Sequence, residues 1–136
     1  DVTMAINGAI AGLVSITADP LSPAGGTAVI VGAIGGAIVY FSIVFLEKAG
    51  VDDPVGAISA HGTVGIYGVL VVALTGGASF MGQLTGVVMI AAFTYLASLG
   101  TIYFINMVMP IRASDAEQEA GLDISEVGIE AYPEFK

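Results

Sequence analysis

Three stretches of this chain are each long and apolar enough to cross a lipid bilayer, and no other feature limits its fold so severely. A helix needs about 20 mostly apolar residues to span a hydrocarbon core of about 30 Å. Residues 25–46, 54–75 and 84–109 meet that requirement. A fourth apolar stretch, 2–17, is somewhat short and begins at the chain end, and it reads as a spanning helix that lacks its first turn. The expected fold class is therefore all-α integral membrane, with four transmembrane helices and a polar tail over residues 110–136.

Composition supports this, since 56% of the residues are hydrophobic, 11% are charged and the mean hydropathy is +0.92. A soluble domain carries about a quarter charged residues, so an ordinary soluble fold is excluded. The net charge of -9 belongs mostly to the tail, because seven of the 12 acidic residues follow Arg112. Nucleic acid is not expected as a partner. With no cysteine in the chain, disulfides, thiol nucleophiles and thiolate metal sites are ruled out together. The chain opens on Asp1 with neither an initiator Met nor a basic leader, and it reads as a fragment whose upstream part is missing.

The connections are brief: 18–24 holds Asp19, Pro20 and Pro23, 47–53 holds most of the loop charge, and 76–83 is rich in Gly and Ser. With alternating spans, Lys48, Arg112 and Lys136 fall on one side, and the opposite loops contain no Lys or Arg. Basic loops stay cytoplasmic, which predicts a multi-pass protein of the cell membrane with a cytoplasmic C-terminus. Glycines at helical spacing (Gly8 and Gly12; Gly32 and Gly36; Gly62, Gly65 and Gly68) allow the close backbone approach by which helices associate in lipid. Tight packing explains most of them, although a narrow pore wall needs the same small residues. In the tail, Ser114 and Glu117 have capping-box spacing, which predicts a short helix over 115–120 ended by Gly121, the alternative being a solvated tail without structure.

His61 is the chain's only histidine and sits about two turns into the 54–75 segment. An ionisable group at that depth is costly and points to function. Ala57, Gly65 and Gly68 fall on its helical face, at i−4, i+4 and i+7, so its surroundings are narrow-walled. A neutral imidazole accepts at one nitrogen and donates at the other, which suits a small polar solute or a passing proton. The competing reading is a histidine that bonds a neighbouring helix only for packing. No metal is expected, because no further His, Cys or carboxylate lies at this depth, and neither a catalytic triad nor a nucleotide-binding loop is present. No enzyme activity or cofactor is expected either. Asp52, Asp53 and Pro54 look like a helix start, with Asp53 as N-cap and Pro54 at the first helical position.

The run from Asp52 to Gly68 resembles the tenth transmembrane helix of Amt ammonium transporters, with Asp-Asp-Pro, then His-Gly, then a spaced Gly-x-x-Gly. Asn7 to Thr17 resembles the eighth helix, and Gly121 to Tyr132 the cytoplasmic C-terminal motif. The resemblance implies the C-terminal third, helices eight to eleven plus tail, of an eleven-helix trimer whose protomers each hold a pore between inverted repeats. It also implies that His61 is one of two pore histidines that pass ammonia after ammonium gives up its proton; Ala57 and Gly65, placed on its face by helical spacing, are the pore residues expected with it. The partner histidine and the phenylalanine gate would belong to earlier helices. By the same resemblance Gly121, Asp123, Ser125, Gly128 and Tyr132 form a regulatory tail, with PII signalling proteins docking on the cytoplasmic face. Ser125 takes the place of a phosphorylated Thr in plant relatives. Two departures stand in that motif: Val127 replaces a histidine, and Ile129 an acidic residue. The leading expectation is ammonium transport; the alternatives are an ammonium sensor that signals through its tail and a purely structural membrane subunit. The 136 residues alone are not expected to conduct.

Overall fold

Backbone N–H and C=O groups find no water in a bilayer core, so an apolar chain must satisfy them within helices or a closed barrel. The structure, a computed structural model, describes residues 1–134 and has no strand among them. Phe135 and Lys136, the latter one of the three basic residues used to orient the chain, lie outside the described residues. The helices are α1 (Val2–Ile16), α2 (Gly25–Lys48), α3 (Val64–Thr75), α4 (Phe80–Val108) and α5 (Asp115–Ala120). Two π-helical turns complete the path, Ile58–Thr63 immediately before α3 and Asp123–Val127 after α5.

Three helical rods are long and apolar enough to span: Gly25–Lys48, Ile58–Thr75 and Phe80–Val108, with 24, 18 and 29 residues. At the α-helical rise these reach roughly 36, 27 and 43 Å. The 15 residues of α1 reach about 22 Å and fall short of the hydrocarbon core, so three of the four expected segments span by length. Two boundaries differ from the sequence expectation. α4 begins at Phe80 and not at residue 84, because Ser79 caps it: the Gly82 N–H donates to Ser79 Oγ at 3.4 Å and the Gln83 N–H to its carbonyl at 3.0 Å. The segment expected to start at Pro54 starts at Ile58. Pro54 instead occupies a turn in which the Gly56 N–H donates to the Asp53 carbonyl at 3.0 Å, and Gly56 has φ +70°, which no helix accommodates.

Residues Asp1–Ala91 form one unit and those from Ala92 onward a second. The core of the first is made of small side chains: Ala11, Val39, Ala60 and Val64 are at most 1% exposed. Small residues let α1 and α2 meet backbone to backbone. A methyl group on Gly32 would lie 3.4 Å from the Gly12 carbonyl oxygen, and one on Gly36 would lie 3.7 Å from that of Gly8. One on Gly35 would collide with Ser15 Oγ, whose hydroxyl donates to the Ala11 carbonyl at 2.7 Å. Polar side chains then tie helix to helix: the Tyr67 hydroxyl donates to the Val31 carbonyl at 3.3 Å and Gln83 Nε2 to the Val69 carbonyl at 3.1 Å. α4 buries no residue, and its apolar side chains surround it on all sides.

In the second unit Ser114 caps α5 through both bonds of a capping box. The Ser114 N–H donates to Glu117 Oε2 at 2.7 Å, and the Glu117 N–H to Ser114 Oγ at 3.3 Å. Gly121, at φ +97°, ends the helix.

Candidate functional site

His61 lies within the π-helical turn Ile58–Thr63, and three sets of contacts fix that turn. At its start the Asp53 carboxylate accepts the Ile58 N–H at 2.9 Å and the Ser59 N–H at 3.0 Å. The capping role expected of Asp53 is therefore exercised from five and six residues away, across the Pro54–Gly56 turn, and Pro54 is not a helical residue. Partial burial opposes the charge on Asp53, but the bonds from Ile58 and Ser59 outweigh it and hold the carboxyl below its usual value. At the end of the turn the Val64 N–H donates to the Ser59 and His61 carbonyls, the former being the i−5 bond of a π-helix. From the side, the Ser42 hydroxyl of α2 donates to Ser59 Oγ at 3.0 Å and lies 3.0 Å from Thr63 Oγ1.

The π-helical winding alters which residues share a face. Ala60, Val64, Gly68 and Val72 form the buried stripe against α1 and α2. A methyl group on Gly68 would lie 3.0 Å and 3.1 Å from the Ser15 and Val14 carbonyl oxygens. Gly68 thus leaves the face expected to hold His61, Ala57 and Gly65, because a helix that is unwound at Ile58–Thr63 no longer returns to the same direction after seven residues. His61 and Ala57 are exposed, and among the described residues no atom beyond Gly65's own helix backbone and chain neighbours lies within 4 Å of a methyl group built on it. Among the described residues the imidazole makes no hydrogen bond, and it is presented to the open side of this chain. Gly62 lies on the same open side, with only Ile58 of its own turn near a built methyl group, at 3.9 Å.

Sequence reading missed Ser42, Ser59 and Thr63. Ser59 and Thr63 are spaced i, i+4 within an apolar run, a signal for a hydroxyl-bearing helix face, but nothing in the sequence paired them with Ser42. A cleft of about 750 Å³ between the start of α1 and residues 43–56 is lined by Asn7, Glu47, Asp52 and Asp53 among others, and His61 is not on its walls.

In the tail, Gly121, Asp123, Ser125 and Gly128 come together in one closed turn. The Ser125 hydroxyl donates to the Gly121 carbonyl at 3.2 Å, and the Asp123 carboxylate accepts the Ala131 N–H at 2.7 Å. That bond is the main reason the Asp123 carboxyl is held below its usual value. Gly128 ends the turn at φ +74°, and Tyr132 is exposed.

The model of the Ammonium Transporter Family matches residues 1–132. Similar proteins include ammonium transporters of Methanocaldococcus jannaschii, 35% identical over 98% of this chain and 34% of its own length, and of Archaeoglobus fulgidus, 33% identical over 99% and 33%. One from Bacillus subtilis is 31% identical over 94% of this chain and 36% of its own length. The chain spans about a third of the length of the curated relatives it matches. Its apolar helices and this match make it a multi-pass, all-helical membrane protein. With a match that leaves out only the last four residues, the chain belongs to the Ammonium Transporter Family.

Proposed function

We propose that this chain is the C-terminal third of an ammonium transporter and contributes one side of its conduction path, with His61 as one member of a twin-histidine relay. The observation that carries the reading is the placement of the lone imidazole: it stands exposed and unbonded among the described residues, on an apolar rod, with the small residues Ala57, Gly62 and Gly65 around it. A cation loses most of its hydration in such surroundings at great cost, so ammonium sheds its proton and ammonia enters. The neutral imidazole offers one donor and one acceptor, matching a solute that both donates and accepts. Ala57 and Gly65 keep the path wide enough for ammonia beside the ring.

In this reading the four apolar segments are helices eight to eleven of an eleven-helix protomer in a homotrimer, α1 being continued by residues upstream. The tail lies in the cytoplasm, where Gly121, Asp123, Ser125, Gly128 and Tyr132 form its regulatory element and a PII protein docks. Replacing His61 by Ala in the complete transporter tests the central assignment. Loss of discrimination between ammonium and potassium, or loss of proton coupling, in reconstituted vesicles is expected. Unaltered selectivity and coupling would remove His61 from the path.

A further inference from the structure

Hydroxyl groups in an apolar helix ordinarily turn back onto the carbonyl one turn earlier. Ser15, Thr75 and Thr85 do so here, donating to Ala11, Val71 and Met81 at 2.7, 3.3 and 2.7 Å. Ser59 and Thr63 reach instead to one atom on a neighbouring helix, Ser42 Oγ. The single Ser42 proton is directed at Ser59, so Thr63 is the donor to Ser42. Ser59 also donates its N–H to the Asp53 carboxylate at 3.0 Å, and its hydroxyl favours the charged carboxylate. A continuous line of polar groups therefore runs from Thr63 through Ser42 and Ser59 to Asp53, and it brackets the turn that holds His61.

The winding of that turn decides where the imidazole points. In an unbroken α-helix, at about 100° per residue, His61 would lie within about 20° of Gly68. Gly68 is buried against the backbone of Val14 and Ser15, and an imidazole has no room there. In the structure His61 is exposed, and the turn that carries it is wound with the i−5 bond that shifts it off that line. Ser59 and Thr63 are the buried and half-buried handles of the turn, and both are held from α2.

We infer that Ser42 is a positioning residue for His61: through Ser59 and Thr63 it holds the π-helical turn that keeps the imidazole on the open face. This rests on His61 being a pathway residue. In the complete transporter, reconstituted in vesicles, Ser42→Ala is expected to lower maximal ammonium flux about 10- to 100-fold, the usual effect of a small misplacement of a working group. The half-saturating concentration should stay within about twofold, since entry of the solute does not involve the turn. Ser42→Thr, which keeps the hydroxyl, should recover the flux, an outcome that bulk packing alone does not predict. Should Ser42→Ala fail to reach the membrane, Ser42→Cys, of similar size and a weak hydrogen bonder, is compared with Ser42→Thr under the same expectation. Wild-type flux in Ser42→Ala, or equal loss in the Ala (or Cys) and Thr variants, overturns the inference. His61→Ala measured in parallel separates the two ideas: an impaired His61 variant beside an unaffected Ser42 variant refutes positioning alone, whereas an unaffected His61 variant refutes the pathway assignment itself.

Discussion

Gly65 and Gly68 are three residues apart on α3, yet the structure gives them opposite surroundings, so the same substitution at each isolates the effect of the helix's rotation. A methyl group at Gly68 meets three backbone atoms, the Ser15 and Val14 oxygens and the Ser15 Cα, at 3.0, 3.1 and 3.2 Å. None of these moves without shifting α1 as a whole. Overpacking of this kind costs about 1–3 kcal/mol, while Gly→Ala in a helix recovers about 1 kcal/mol, leaving Gly68→Ala destabilised by about 0–2 kcal/mol. At Gly65 no neighbour outside its own helix turn lies within 4 Å among the described residues, and only the favourable helix term remains. Because that term is common to both, the difference between the variants, about 1–3 kcal/mol, reports the neighbours alone. The assay is reversible denaturation of the purified transporter in mixed micelles, with Gly65→Ala and Gly68→Ala side by side. Equal stability, or Gly65→Ala the weaker of the two, would refute the rotation of α3 and with it the account of how His61 comes to be exposed.

Gly56→Ala should be the more damaging glycine change. Its φ of +70° disfavours any side chain, and the methyl group would sit 2.8 Å from the Asn7 amide, together about 2–5 kcal/mol by the same denaturation assay. The Asp53 carboxyl is held below its usual 3.8, so the bonds it accepts stabilise fully above that value and are lost as pH falls through the lower folded-state value. Hydrogen exchange at the Ile58 and Ser59 amides should accelerate on acidification below about pH 4 beyond the solvent trend, and Asp53→Asn should remove that extra sensitivity. In the tail, Asp123→Ala should free the Ala131 amide to exchange while leaving α5 protected, since the capping box at Ser114 and Glu117 lies outside the closed turn. Vesicles reconstituted with residues 1–136 alone should show no ammonium flux.

Whatever depends on residue type averaged over a window was legible in the sequence. Hydropathy located the three long spans within four residues at each end, and the Ser114 to Glu117 spacing marked α5. Rotation about a helix axis was not legible in the same way. Pro54 after Asp53 reads as a helix start by local chemistry, but Gly56 comes next but one with a left-handed backbone and packs on Asn7, so the start moves four residues on and Asp53 caps at long range. The π-helical turn leaves no mark in Ile58–Thr63 that distinguishes it from one more α-turn, and Ser42, which braces it from the side, lies 17 and 21 residues before its partners. Gly68 was therefore grouped with His61 when it packs on α1. The resemblance carried the identity of the candidate site residue; the contacts around it had to be seen.

A π-helical turn amounts to an α-helix that has accepted one residue more than its register needs. The direction of the imidazole is thus stored in the spacing between Asp53 and the Ala60, Val64, Gly68 and Val72 stripe as much as in any side chain. Deleting the single codon of Ser59 or Ala60 would leave the Asp-Asp-Pro and His-Gly motifs recognisable, and it would swing the N-terminal part of the rod by about 100° relative to the C-terminal part. In this chain, then, the number of residues separating the acidic cap from the packed glycine is as much a part of the candidate site's specification as the histidine itself.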